Sequence, residues 1–169
     1  KIYNYKKLKE IADKYNLSII EDACQAHGAT RNGIKAGNFG NIACFSFYAT
    51  KNMMCGEGGG AVNNNSTLAE IMKRFRNHGQ REKYEYKHLG YNYKMIDLQA
   101  AIALEQLKKL DKFNLIRRKN AQMLNEGLRD VKGIIIPQIK EGNVFHQYTI
   151  RLNNFKISRE KLINYLKEK

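Results

Sequence analysis

An α/β fold is what this sequence predicts, and three observations predict it. A helix-period segment near the start leads into a short, solidly apolar strand, Leu17 to Ile20, that ends on Glu21-Asp22. Helix followed by buried strand is the rhythm of a sheet covered by helices. A second apolar run, Ile42 to Tyr48, then ends just before Lys51. In such sheets ligands gather beyond the carboxyl ends of the strands. Asp22 and Lys51 both fall there.

Taken in order, Leu8, Ile11, Ala12 and Tyr15 recur at helical spacing with lysines between them, and Asn16 ends that helix. Gly28, Gly33, Gly37 and Gly40 mark a loop-rich passage with a small hairpin at Asn32-Gly33. After the Ile42–Tyr48 strand comes another short one, Gly60 to Asn63. Asn65 or Ser66 then caps a helix whose core face is Leu68, Ile71, Met72 and Phe75, with Gly79 at its stop. Gln80 to Tyr93 is polar and aperiodic and reads as a long functional loop. Asp97 caps a helix through Leu110, and a second helical pattern runs from Ile116 to Val131 before Gly133. Strands at 134–136 and 148–152 and a helix capped near Ser158 complete the chain. The change of character near Asp111 to Asn114 places a domain boundary there, dividing 1–112 from 113–169.

At 169 residues, 43% of them hydrophobic, the chain can build a core in one or two domains. No apolar run approaches a membrane span, and the opening KIYNYKKLKE has no apolar h-region. A soluble, cytoplasmic protein with no membrane partner is expected. Thirty Lys and Arg against sixteen Asp and Glu give a net charge of +14. That excess suits a nucleic acid, an anionic surface or an anionic small substrate. The cations are dispersed, densest at Lys108-Lys109 and Arg117-Arg118-Lys119, as on solvated helix faces. With no helix-turn-helix or RNA-binding signature, no nucleic-acid partner is expected. Cys24, Cys44 and Cys55 lack CxxC spacing, so neither a disulfide framework nor a metal site is expected. Buried thiols are the default reading; a reactive Cys55, four residues after Lys51, is the alternative.

A lone lysine in a tight, partly apolar setting is a Schiff-base residue in waiting, since desolvation frees its lone pair. Pyridoxal phosphate is the commonest partner, and it needs a carboxylate for its pyridine nitrogen and hydroxyls for its phosphate. Lys51, Asp22, and Ser46 or Thr50 fill those roles on paper, although most such lysines and aspartates are merely solvated or cap a loop.

The runs Glu21-Asp22-Ala23-Cys24-Gln25-Ala26-His27-Gly28-Ala29, Phe45-Ser46-Phe47-Tyr48-Ala49-Thr50-Lys51-Asn52-Met53 and Gly56-Glu57-Gly58-Gly59 resemble the DegT/StrS-type sugar aminotransferases. Arg76-Asn77-His78-Gly79, Gly90-Tyr91-Asn92-Tyr93-Lys94-Met95 and Asp97-Leu98-Gln99-Ala100-Ala101 extend the resemblance in the family's order. The resemblance implies part of a fold-type I large domain, a mixed sheet with flanking helices, over 1–112. The start of a small α+β C-terminal domain would follow over 113–169. It implies pyridoxal 5'-phosphate held as a covalent aldimine at Lys51, with Asp22 on the pyridine nitrogen, Gln25 near the ring and its phenolic oxygen, and Ser46 on the phosphate. Asn92 would reach the partner subunit's cofactor in a homodimer. The implied reaction aminates a keto-sugar, nucleotide-linked, with glutamate as donor, in amino-sugar, surface-polysaccharide or secondary-metabolite synthesis. His27 and His146 are candidate substrate contacts, each with a packing role as the alternative, and the same applies to His78 and His88.

Two departures accompany the resemblance. Family members are more than twice this length, and the region supplying a phosphate loop and a ring-stacking aromatic is absent, so either a fragment of a larger polypeptide or a truncated gene product is expected. Cys24 and Cys55 stand where small residues are common. Lys51 sets the chain apart from the dehydratase branch, where histidine takes that place. Competing readings are a catalytically incomplete, aminotransferase-like regulatory or nucleic-acid-binding protein, and amination of a cyclitol or other non-nucleotide ketone.

Overall fold

A computed structural model describes residues 4–169; the first three residues of the KIYNYKKLKE start lie outside the described residues. In order the elements are α1 (Tyr5–Lys14), β1 (Ile20–Asp22), β2 (Thr30–Arg31), β3 (Ile34–Lys35), β4 (Ile42–Ser46), β5 (Gly59–Val62) and α2 (Ser66–Phe75). Then come β6 (Gln80–Glu82), β7 (Glu85–Tyr86), α3 (Asp97–Leu128), β8 (Ile134–Ile135), β9 (Arg151–Leu152) and α4 (Arg159–Lys167). The main sheet has the order β1-β4-β5, with β1 parallel to β4 and β4 antiparallel to β5. It is mixed, as expected, and the helices around it make the chain α/β. None of the described helices is long and apolar enough to cross a membrane.

Local chemistry fixes most boundaries. Asn16 takes φ +51 just beyond α1, a conformation asparagine tolerates better than most residues. Asn32 and Gly33, at φ +51 and +76, form the two-residue turn between β2 and β3, and two positive φ values match the right-handed twist of a hairpin. Asn65 caps α2, its Oδ1 accepting from the Leu68 amide at 3.0 Å. Ser158 caps α4 through the Lys161 amide at 3.3 Å.

Several sequence expectations need correction. The first strand is Ile20–Asp22 rather than Leu17–Ile20 and is not buried: Leu17 is 59% and Ile20 71% exposed. No residue of α2 is buried. The apolar stripe of α2 is left uncovered, with Ile71 48% and Phe75 43% exposed. Phe75 packs instead on Tyr91, with ring centroids 5.3 Å apart, and Tyr91 stacks on Tyr93 at 5.1 Å. The 80–93 passage is not one loop. It holds the β6–β7 hairpin and returns along the end of α2, where the Tyr91 amide donates to the Phe75 carbonyl at 2.7 Å. Asp97 does not cap α3; the cap is Ile96, with no side-chain bond, and Asp97 lies in the first turn.

The largest correction is α3 itself. Where the sequence reads two helices, one 32-residue helix runs through 111–114. Asn114 does not break it because its amide is buried and bonded to distant residues instead of to the local backbone. Position 112/113 therefore lies within a continuous helix. The buried stripe of α3, Ala103, Leu110, Asn114 and Ala121, faces the interior. That interior is two small clusters: Ala23, Ala29, Ala36 and Val144 beside Phe45, and Met53, Cys55, Ala103 and Leu110 beside Phe47 and Met95.

Candidate functional site

The parallel register pairs Asp22 with Cys44, so the chain leaves β1 and β4 at neighbouring points of the same sheet edge. Alternation along β1 sends Glu21 and Asp22 to opposite faces. The Glu21 carboxylate is used structurally, accepting from the Gly37 amide at 2.7 Å and the Phe39 amide at 3.1 Å. Asp22 is exposed and accepts from the Cys24 amide at 3.0 Å. The Cys24 thiol lies between Asp22 and the Cys44 carbonyl, 3.6 Å from Sγ. Hydrogen bonding from the Cys24 thiol and amide, helped by the charge of Lys51, holds the Asp22 carboxyl below its ordinary range. Asp22 is therefore a carboxylate at neutral pH.

Beyond β4 the chain makes a tight excursion. The Phe47 amide donates to the Gly58 carbonyl at 2.8 Å and the Cys55 amide to the Phe47 carbonyl at 2.9 Å. These bonds close a loop that carries Lys51, half-buried, with its amide on the Tyr48 carbonyl at 2.9 Å. The Lys51 charge acts on Asp22, Cys24, His27 and His146. It is the electrostatic centre of that group. Ser46, last in β4, accepts from the Tyr48 amide at 3.3 Å through Oγ, and its hydroxyl hydrogen remains available to a ligand. Gln25 is exposed in the turn after Asp22, and Thr50 is exposed beside Lys51.

His27 is 3% exposed, and both its ring nitrogens lack a hydrogen-bond partner. Its ring sits 5.3 Å from that of Phe45 and 6.0 Å from that of Phe47. Burial pushes this imidazole down; the nearby Ser46 backbone opposes that, and the charges of His146 and Lys51 add to it. His146 is also held down, by burial first and then by Lys51 and Arg117. Burial raises the thiols of Cys24 and Cys55. Cys55 donates to the Glu57 carbonyl at 3.2 Å, so it is the buried thiol and not the reactive alternative.

Asn92 is the outlier of the expected set. It pairs with Asn77 in an isolated bridge beside α2, exposed, and no bond joins it to Asp22 or Lys51. His78 takes φ +58 with its amide on the Tyr91 carbonyl, a role in that same bridge. Near it a polar hollow of about 360 Å³ collects Lys73, Arg74, Arg76, Arg81 and Lys94.

Sequence reasoning missed Asn52, Asn114 and Arg117. Asn52 is 4% exposed and bonds Asn114, Val144 and His146; Asn114 is 4% exposed and bonds the His27 carbonyl. Arg117 reaches the Phe145 and His146 carbonyls at 3.4 and 3.3 Å. A signal was present: Asn114 falls at steps of four and seven residues from Leu110 and Ala121, in one buried stripe with Ala103. Gly28 makes room for it. At φ +72, a Cβ there would lie 2.7 Å from Asn114 Nδ2.

Residues 1–169 match the DegT/DnrJ/EryC1/StrS aminotransferase family. The dTDP-3-amino-3,4,6-trideoxy-alpha-D-glucose transaminase of Streptomyces venezuelae is 39% identical over 85% of this chain and 39% of its own length. Helicobacter pylori PseC, an aminotransferase of pseudoaminic acid biosynthesis, superposes with a TM-score of 0.92 at 30% identity, over 99% of this chain and 47% of that one. The Escherichia coli GDP-4-keto-6-deoxy-D-mannose-3-dehydratase with bound hydrated PLP gives 0.90 at 25% identity, over 98% and 48%. The chain thus spans less than half the length of these relatives.

Proposed function

The chain belongs to the DegT/DnrJ/EryC1/StrS aminotransferase family, and from that premise we propose that it carries the lysine half of a pyridoxal phosphate site. The whole protein would be a transaminase that aminates a nucleotide-linked keto-sugar with glutamate as donor. The observation that carries this reading is the half-buried Lys51 whose charge acts on an ionised Asp22 at the next strand end. The residues present fit the group. A carboxylate held in its charged form suits a protonated pyridine nitrogen, and a primary amine and a free hydroxyl hydrogen stand nearby.

When bound, pyridoxal phosphate supplies an electron sink that acidifies the carbon bearing the transferred amine. Asp22 would keep a pyridine nitrogen protonated, Gln25 would lie beside the ring, and Ser46 would donate to the phosphate. Lys51 would hold the group through Nζ and, as a free amine, would carry the proton that transamination has to move. His27 and His146 belong to the substrate side. Asn92, far along the chain from this cluster, serves the partner subunit's site in a cytoplasmic homodimer. The division into a large-domain part, 1–112, and a small-domain part, 113–169, belongs to the same reading. Lys51 supports transaminase rather than dehydratase chemistry, because an amine can both carry the cofactor and shuttle the proton.

The test is reductive trapping. The intact gene product is treated with pyridoxal phosphate and borohydride, and the modified residue is mapped by mass spectrometry. Label at Lys51 is expected; a fully folded product with none there sinks the reading.

A further inference from the structure

The buried amides beside Lys51 form one directed chain of hydrogen bonds, and backbone carbonyls fix its direction at two points. A carbonyl can only accept, so the Asn52 atom 3.2 Å from the Val144 oxygen is Nδ2. The same nitrogen donates to Asn114 Oδ1 at 2.9 Å, which uses both its hydrogens. The His27 carbonyl, 2.9 Å from Asn114 Nδ2, orients the second amide independently and in the same sense. Asn52 Oδ1 is therefore what faces His146 Nδ1, at 3.1 Å. An amide oxygen cannot donate, so Nδ1 carries the hydrogen. In the neutral ring the lone pair then sits on Nε2.

Nε2 has no hydrogen-bond partner among the described residues, and the sealed, unpaired ring nitrogens there are those of His27. His146 is also held through its backbone. Arg117 donates to the carbonyls on either side of the peptide, and Phe145 is kept at φ +43, a left-handed conformation that an aromatic residue adopts only when its surroundings impose it.

We propose that Asn52 is a positioning residue that locks His146 in its Nδ1–H form, so that Nε2 accepts a hydrogen bond from a hydroxyl of the sugar bound beside Lys51. The inference rests on the sugar-transaminase reading and deepens it. Burial and the positive charges of Lys51 and Arg117 keep the ring neutral near pH 7, so Nε2 stays an acceptor. An acceptor-only nitrogen bonds an O–H and gives nothing to a ketone oxygen. It therefore helps to choose which sugar carbon is turned toward the amine.

Nitrogen NMR on the cofactor-free intact gene product, with ring-labelled histidine, reads the tautomer directly; His146→Gln assigns the signal. The Nδ1–H form is expected to exceed the other by about tenfold, as one hydrogen bond of this kind supports. Asn52→Leu is expected to bring the two forms near parity. If that variant fails to fold, Asn52→Ser, whose neutral hydroxyl can either accept from or donate to Nδ1, is expected to give a mixed ring. A predominantly Nε2–H ring in the wild type, or an unchanged lock in Asn52→Leu, overturns the proposal. For the hydroxyl, dTDP-glucose, UDP-glucose and GDP-glucose are each compared with their own nucleoside diphosphate. At least one sugar should move the Nε2 signal where its diphosphate does not; three failures overturn the contact. Lys51 labelled by borohydride with a mixed His146 tautomer sinks this inference alone, whereas unlabelled Lys51 sinks the transaminase reading beneath it.

Discussion

Asp22 and Asn52 lie close to the ends of adjacent strands, yet their two regions are built on opposite terms. The Asp22 turn is exposed and ionic, and the carboxylate's bond partner, the Cys24 amide, is also its near neighbour in sequence. The Asn52 region is buried and neutral, with partners at Asn114, Val144 and His146. The difference follows from solvation. A carboxylate that must stay charged keeps contact with water or with a ligand, because burying it unpaired costs too much. A neutral amide can be sealed in, where its bonds strengthen and hold a geometry. Charge stands on the exposed side, and amides set the shape of the buried side.

If that division holds, substitutions in the two regions fail in different ways. Lys51→Ala should have the largest effect, lowering transamination by the intact gene product by about 10⁴-fold, since nucleophile and proton carrier vanish together. Folding should be unaffected by circular dichroism. Asp22→Asn should lower kcat by about 10²- to 10³-fold, the scale of a lost electrostatic contact to the reacting system, again with an unchanged unfolding midpoint. Asn114→Ala should do the reverse. It strands the His27 carbonyl and one Asn52 hydrogen, and denaturant unfolding should show a loss of about 2–3 kcal/mol. A stable Asn114→Ala protein, or an unfolded Asp22→Asn one, would erase the distinction.

Acid sharpens the contrast further. His27 is depressed by burial first, with His146 and Lys51 adding and the Ser46 backbone opposing. Its folded form binds a proton less readily than the unfolded chain does, so stability is retained above the ordinary histidine range near pH 6.5 and lost as pH falls below it. His146, facing Lys51 and Arg117, acts in the same direction. Asp22 is also depressed, but its contribution is lost only below the ordinary carboxylate range near pH 4. Unfolding measured between pH 7 and pH 5 should therefore show a slope that His27→Phe reduces and Asp22→Asn leaves alone.

Legibility in the sequence follows the same line. Asp22, Lys51 and Ser46 stand in contiguous runs at strand ends, and the Asn32-Gly33 turn and the Ser158 cap rest on neighbours within three residues; all could be read from the chain. The long α3 could not, because Asn114 looks like a breaker until its partners at 27 and 52 are known. Nor could the exposure of Ile20 and Phe75 be read, since apolar spacing gives the face of an element and not what covers it. Asn92 could be placed only by resemblance, for its bridge to Asn77 carries no chemistry of its own.

Asn65 provides the smallest and most discriminating comparison, because it is the same side chain as Asn114 in the opposite setting. Its Oδ1 accepts from the Leu68 amide three residues on, at an exposed helix start. Water can replace that bond, so Asn65→Ala should cost about 1 kcal/mol, and Asn65→Asp should recover the loss through its charge at the positive end of α2. Asn114→Asp should recover nothing. A carboxylate there cannot donate to the His27 carbonyl and would be buried beside it, so the substitution that repairs the surface cap should damage the interior further. Chemical denaturation of the four variants reads both signs, and equal behaviour of the two aspartates would show that burial does not separate the regions.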